Sequence, residues 1–423
     1  MGNPLTGRGI FGSRKGLITG LVLAGVGTIG AALWSLAVGG PLLNDGTVIA
    51  GESSDPNAVA TTLVQTTSSS FQYPGALDLA WPSSGTSAIE VEGMGLLGHR
   101  GSMTAKSAIA SITKTMTAYL ILKDHPLTGN SSGPTITLTS AMNAEYDTAI
   151  AADESTVVTK TGERITERQA LEALLLASAG NMADVLAMWD KGSVHAFLTE
   201  MNQEAHTLGL TGTVYTDPAG LAASTVSTMA DLLKLAEAVQ QVPALTAIVA
   251  ENSANIPVAG TVYNVNRDLG SYGIDGIKTG TTGAAGSCLL FSAHITVGGQ
   301  RLTILGVVLG MPGSSGIPET ALNAAKRLVA STEARIGQAS VAAAGHAVAA
   351  LEQDKQKIAD LGVADGLSVV GWPGLTYHVS VGGTSSAATL DVTRTGDSSA
   401  IVSAPLVKLT PHATASAQPT TMG

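Results

Sequence analysis

Between Leu17 and Leu43 the chain carries no charged residue until Asp45, and Arg8, Arg14 and Lys15 stand ahead of that run. The run is long enough to cross a bilayer as one helix and too long for an ordinary signal-peptide core. Gly20, Gly25, Gly27 and Gly30 fall within it with no polar face, which fits a membrane span better than a buried core helix. Basic residues before the run and Asp45, Glu52 and Asp55 after it put the N-terminus inside and the bulk of the chain outside. The expected division is a cytoplasmic segment over 1–15 and a transmembrane signal anchor over 16–43. Ala37-Val38-Gly39, a passable small-residue cleavage site, keeps a cleaved signal peptide as the alternative. From Asn44 to Tyr73 the apolar periodicity disappears and Ser and Thr collect, as in Thr66-Thr67-Ser68-Ser69-Ser70. That composition predicts a flexible linker over 44–73.

From Pro74 to Arg335 apolar strands and helices alternate with Gly-rich turns, which predicts the main folded domain over 74–335. Ala88–Leu97 reads as a strand. Ile112, Met116, Tyr119 and Leu120 recur at helical spacing, which places Ser111 at or near the start of an amphipathic helix. Thr166 and Gln169 form a capping-box pattern ahead of Leu171, Leu174 and Leu175. Ser287–Ile295 and Leu302–Leu309 flank Val297-Gly298-Gly299-Gln300, the pattern of a hairpin. Pro318–Arg335 reads as an Ala-rich amphipathic helix. Short β-like runs follow at Leu367–Val370, Tyr377–Val381, Thr389–Val392 and Ile401–Leu409, predicting a small β-rich region over 336–423 with a frayed tail from Pro411.

Composition removes several function classes. The 423 residues are 44% hydrophobic, against general disorder. A net charge of −10 with 4% aromatic residues argues against nucleic-acid binding. Cys288, the single cysteine, excludes an internal disulfide and any CxxC site, and the eight histidines are scattered without ligand spacing. No metal and no cofactor are expected. The high Ala and Gly content is a hint of a high-GC bacterium.

The chemistry lies in two short motifs. Ser111-Ile112-Thr113-Lys114 sets a serine and a lysine three positions apart at a helix start, on one face. A serine hydroxyl needs a base within hydrogen-bond reach, and a lysine serves only when largely neutral, through desolvation or a second cation nearby. Lys278-Thr279-Gly280-Thr281-Thr282 supplies such a cation on a glycine-bearing strand that runs into Cys288-Leu289-Leu290-Phe291. Glycine there removes bulk so that substrate can lie along the strand edge. Lys160-Thr161-Gly162 repeats the triplet in a polar stretch and reads as a surface turn. Arg267 reads as a solvated arginine, and Cys288 as a small buried hydrophobe.

These motifs resemble the serine D-alanyl-D-alanine carboxypeptidases, the low-molecular-mass penicillin-binding proteins of the SxxK/KTG acyltransferase superfamily. Ile109–Tyr119 and Gly276–Gly280 carry the likeness. Ser178-Ala179-Gly180-Asn181, Asp217-Pro218-Ala219-Gly220-Leu221 and Tyr263-Asn264 extend it in order. The resemblance implies an α+β, β-lactamase/transpeptidase-like domain: an antiparallel sheet packed by helices, with an all-helical subdomain. It implies removal of the terminal D-alanine from peptidoglycan stem peptides, with β-lactam antibiotics as inhibitors, outside the membrane. Ser111 would be the nucleophile, Lys114 the general base, and Ser178 the proton relay to the leaving D-alanine. The backbone N–H groups of Ser111 and Thr281 would hold the oxyanion. Lys278, Thr279, Gly280, Thr281 and Thr282 would bind the terminal carboxylate, and Lys278 would depress the pKa of Lys114.

One position departs from that pattern. The middle motif of the family is Ser-x-Asn, and here its third position is Gly180, with Asn181 one place later. Either Asn181 reaches the substrate by a local backbone shift, or the asparagine function is missing. A class A β-lactamase is the second reading, but it needs a glutamate for the deacylating water, and Glu200-Met201-Asn202 has the wrong spacing. A third reading is a weakened penicillin-binding protein with a structural or sensory role in the wall.

Overall fold

The computed structural model describes residues 48–50, 61–313 and 318–410. The expected membrane anchor over 16–43 lies outside them. Among the described residues no single helix is long and apolar enough to cross a membrane.

A five-stranded antiparallel sheet runs in the order Ile274–Thr282, Gly286–Val297, Gln300–Met311, Thr86–Val91 and Gly95–Arg100. The expected hairpin is present, with Val297 paired to Gln300 across Gly298 and Gly299, both at positive φ. Its strands read as nearly continuous apolar runs because both faces of the sheet are covered. Cys288 and Leu290 face one core, while Leu289 and Phe291 face another, as the period of two along a strand requires. The expected single strand over Ala88–Leu97 is instead two strands. Glu92, Gly93 and Met94 turn between them, with Gly93 at φ +67, so the apolar residues on either side belong to a second hairpin.

Among the described residues seven α-helices precede the hairpin: α1 (Thr113–Asp124), α2 (Ser140–Ala151), α3 (Glu167–Leu175), α4 (Gly180–Lys191), α5 (Val194–Thr207), α6 (Met229–Gln240) and α7 (Pro243–Val249). An eighth, α8 (Glu319–Glu333), packs on the other face of the sheet through Ala321, Ala325 and Leu328. Nine of the twelve residues of α1 are buried, so the helix that follows Ser111 is the central post of the domain. The capping box forms as the sequence predicts: Thr166 Oγ1 accepts from the Gln169 N–H at 3.2 Å, and Gln169 Oε1 accepts from the Thr166 N–H at 3.1 Å.

The C-terminal region is β-rich, and the segment expected to be a linker supplies part of it. Thr61–Gln65 pairs with Ala347–Gln353, and Ser70–Gln72 pairs with Thr376–Thr384. Both join one eight-stranded sheet with Gln356–Val363, Val402–Lys408, Ala387–Arg394 and Val48–Ala50. Leu63 packs with Leu351, Val363, Tyr377 and Leu390 in the core of this module. Gln65 is buried because its amide bridges strands: Nε2 donates to the Val379 carbonyl at 3.1 Å, and Oε1 accepts from the Val381 N–H at 3.1 Å. A flexible linker is therefore excluded for Thr61–Gln65 and Ser70–Gln72.

Candidate active site

Ser111 lies in a single 3-10 turn, Ala110–Ile112, that runs directly into α1. Ala110, the residue before it, has φ +47, a conformation that costs energy for any residue with a Cβ and marks a backbone held by its surroundings. Lys114 sits in the first turn of α1, and its Nζ lies 2.9 Å from Ser111 Oγ. The same Nζ donates to the Ala219 carbonyl at 2.8 Å. Lys114 is almost wholly buried, and burial lowers its pKa to about 8, against the pull of Glu154, Asp217 and Asp184 toward the charged form. A base with that pKa holds a minor but usable neutral fraction near physiological pH, far more than an ordinary lysine, and a proton-abstracting lysine requires that form.

The loop that presents Ala219 is organised by Asp217. Its carboxylate accepts from the N–H groups of Ala219, Gly220, Leu221 and Ala222, and from Thr225 Oγ1 at 2.9 Å. Thr117 Oγ1 fastens the same loop to α1 through the Pro218 carbonyl at 2.7 Å. The lysine is thus held between the nucleophile and a carbonyl whose loop is tied at several points.

The Ile274–Thr282 strand forms the opposite wall. A Cβ on Gly280 would stand 3.0 Å from the Ser111 nitrogen and 3.1 Å from Ala110 Cβ, so glycine is what lets the strand approach the nucleophile this closely. Thr279, Gly280, Thr281 and Thr282 line a cleft of about 340 Å³ together with Ser111, Lys114 and Ser178. Lys278 is not part of that lining. It is buried behind the wall, donating to the Thr279 carbonyl at 3.0 Å. Burial first, and then the charge of Lys114, hold its pKa well below the usual lysine range. Burial is the largest cause of the lowering at both lysines, and the mutual repulsion of the two ammonium groups acts in the same direction.

Ser178 stands between α3 and α4 at φ +60 and faces the cleft. Asn181 does not. It is buried in α4, its Oδ1 accepting from the Val157 N–H at 3.2 Å and its Nδ2 donating to the Val157 carbonyl at 3.0 Å. With both ends of its amide committed to that backbone, Asn181 does not line the cleft, and of the two alternatives at this position the structure favours the missing asparagine over the backbone shift. The residue that sequence reasoning missed is Glu154, which lines the cleft from the loop after α2. No motif flags it, since it lies in a plain polar stretch; the sole hint is the glycine at position 180.

Other expectations resolve simply. Lys160-Thr161-Gly162 is an exposed turn. Cys288 is fully buried, and burial pushes its thiol up to about 11. Arg267 is largely exposed and lies 4.0 Å from Glu319. Glu200 is taken by Lys191 at 2.9 Å on the surface of α5, so it cannot serve as a β-lactamase-type water base.

The five-stranded sheet, with α8 on one face and a helical body on the other, is an α+β fold of the transpeptidase and β-lactamase kind. Its structural neighbours bear this out. The Streptomyces K15 DD-transpeptidase aligns with a TM-score of 0.52 and 26% identity, covering 60% of this chain and all of that one. Penicillin binding protein 5 from Haemophilus influenzae aligns with a TM-score of 0.56 over 79% of this chain and 98% of its own, at 19% identity, a likeness of fold alone. Residues 96–313 match the D-alanyl-D-alanine carboxypeptidase family model, and the chain belongs to that family. A D-alanyl-D-alanine endopeptidase of Pseudomonas aeruginosa is 32% identical over 205 residues, 47% of this chain and 63% of that protein. The D-alanyl-D-alanine carboxypeptidase DacB2 of Mycobacterium tuberculosis is 38% identical over 160 residues, 36% of this chain and 54% of that protein. The chain spans between about half and two thirds of the length of these curated relatives.

Proposed function

We propose that this chain is a serine D,D-carboxypeptidase that removes the terminal D-alanine from peptidoglycan stem peptides through an acyl-enzyme on Ser111. The observation that carries the reading is the 2.9 Å contact between Ser111 Oγ and a buried Lys114 amine beside the Lys278–Thr282 strand. Ser111 Oγ attacks the carbonyl of the penultimate D-alanine while its proton passes to neutral Lys114. The N–H groups of Ser111 and Thr281 stabilise the oxyanion. The peptide bond breaks, Ser178 relays a proton to the departing amine, and water hydrolyses the ester left on Ser111. The terminal carboxylate lies against the hydroxyls of Thr279 and Thr282. Its charge favours the ammonium form of Lys278 behind them, so binding itself recharges that buried lysine.

β-Lactams are inhibitors on this reading, because their ring carbonyl acylates the same serine. The run over 16–43 anchors the enzyme in the cell membrane with its catalytic part on the outer side, where stem peptides lie. The reaction calls for no metal or cofactor, since lysine and serine supply the proton transfers.

The test is release of free D-alanine from a peptide ending in D-Ala-D-Ala. The parent protein should release it, and Ser111→Ala should lower the rate by at least about a thousandfold. Release that survives this substitution would remove Ser111 from the nucleophile role.

A further inference from the structure

Gly180 is the starting point. Its backbone is ordinary helical, at the first residue of α4, so no conformational demand calls for glycine there. What a side chain there would meet is another side chain: a Cβ built on Gly180 would overlap the mobile end of Glu154, with Oε2 and Cδ as the nearest atoms, and would displace that carboxylate. The loop carrying Glu154 is fixed from two sides. Gly180 N–H donates to the Ser155 carbonyl at 2.7 Å, and the Asn181 amide clasps Val157. Glu154 therefore stands where a side chain at position 180 would stand, on the cleft wall shared with Ser111, Lys114 and Ser178.

We infer that the Glu154 carboxyl takes the place of the polar side chain missing at position 180, and acts there as a positioning residue for acyl transfer. This rests on the reading of the cleft given above. The protonated acid offers a carbonyl acceptor and an O–H donor, much as a carboxamide offers a carbonyl and an N–H. Its charge is also linked to the base. Burial raises the pKa of Glu154 while Lys114 opposes that rise, and Glu154 in turn favours the charged form of Lys114. The pair can carry one proton in two ways: carboxylate with ammonium, or carboxylic acid with free amine. The second is the form that accepts the Ser111 proton. Asp217 from the loop after α5 and Glu145 from α2 also face Glu154. Asp217 and Asp184 from α4 bear on Lys114 as well, and Lys278 is coupled to it by repulsion. Replacing Glu154 thus removes one of three acidic groups that bear on the lysine and leaves Asp217 and Asp184, the latter also coupled to Glu154 and itself pushed up to about 7 by burial.

The experiment follows the rate of benzylpenicillin acylation against pH by intact-protein mass, for the full-length parent, Glu154→Gln, Glu154→Ala, Gly180→Asn and the Gly180→Asn/Glu154→Ala pair. Circular dichroism establishes that each variant is folded. In Glu154→Gln a permanently neutral carboxamide stands beside Lys114, so the midpoint of the acid limb should move down by roughly 0.5–1 pH unit, with the maximal rate kept. Glu154→Ala should slow acylation by about tenfold or more across the range. Gly180→Asn should be slow because its side chain meets Glu154, and the double variant should recover much of the parent rate. A Glu154→Gln profile that superimposes on the parent overturns the inference, as does a double variant no faster than Gly180→Asn. A Glu154→Gln protein that acylates as the parent does but then holds its adduct would make the carboxylate the base for the hydrolytic water, which also overturns it. A parent protein that takes no label would overturn the reading of the cleft itself, and the inference with it.

Discussion

Glu167 opens α3 with its side chain buried and neither carboxylate oxygen hydrogen-bonded among the described residues. Burial raises its pKa to about 7, with Arg168 pulling the other way. The folded state therefore binds this proton more tightly than the unfolded state does. Stability from this group is present below about pH 4.5 and is lost as pH rises through about 7. Glu167→Gln should accordingly raise Tm by about 2–4 °C at pH 8 and leave it nearly unchanged at pH 4. An equal gain at both pH values would assign the effect to packing and not to ionisation. At this scale the sequence was informative where chemistry is local. Ser111 and Lys114 are three positions apart on one helix turn, and that spacing is enough to bring their side chains to 2.9 Å. Asn181 was misassigned because its partner, the Val157 backbone, comes from a distant loop. Glu154 went unread for the same reason: its role depends on Gly180, and no periodicity connects the two.

Among the elements, the Ile274–Thr282 strand decides most about the cleft. Its approach to the Ala110–Ile112 turn has no slack at Gly280, where a Cβ would press on backbone atoms of Ile109 and Ser111. Gly280→Ala should slow benzylpenicillin acylation about tenfold, since the two walls must part by a few tenths of an ångström and the strand carrying Thr281 then moves relative to Ser111. Tm should move much less than the rate. Unchanged acylation would mean that the two walls separate without chemical consequence. The hairpin with its Gly-Gly turn and the capping box of α3 were legible because their signals are short and local. The turn at Glu92-Gly93-Met94 was hidden by apolar residues on both sides. The strands Thr61–Gln65 and Ser70–Gln72 were hidden by composition, since Ser and Thr suit a linker as readily as an edge of a sheet. What makes Gln65 part of a strand network is its pairing with Val379, 314 positions away, which no window along the chain can see.

Taken whole, the described chain joins the part matched by the D-alanyl-D-alanine carboxypeptidase family to a β module built from segments on both sides of it in sequence. The likeness to penicillin binding protein 5 of Haemophilus influenzae covers more of this chain than the likeness to the Streptomyces K15 DD-transpeptidase. That difference is what a catalytic domain with an added module leads one to expect. Everything proposed for the molecule depends on one covalent event at Ser111. Its most direct test is the intact mass of the purified protein incubated with benzylpenicillin, beside Ser111→Ala, from pH 6 to pH 9. One adduct per chain should form in the parent, faster as pH rises through about 8 where Lys114 becomes neutral, and none in Ser111→Ala. No adduct in the parent, or an adduct that persists in Ser111→Ala, would contradict the account.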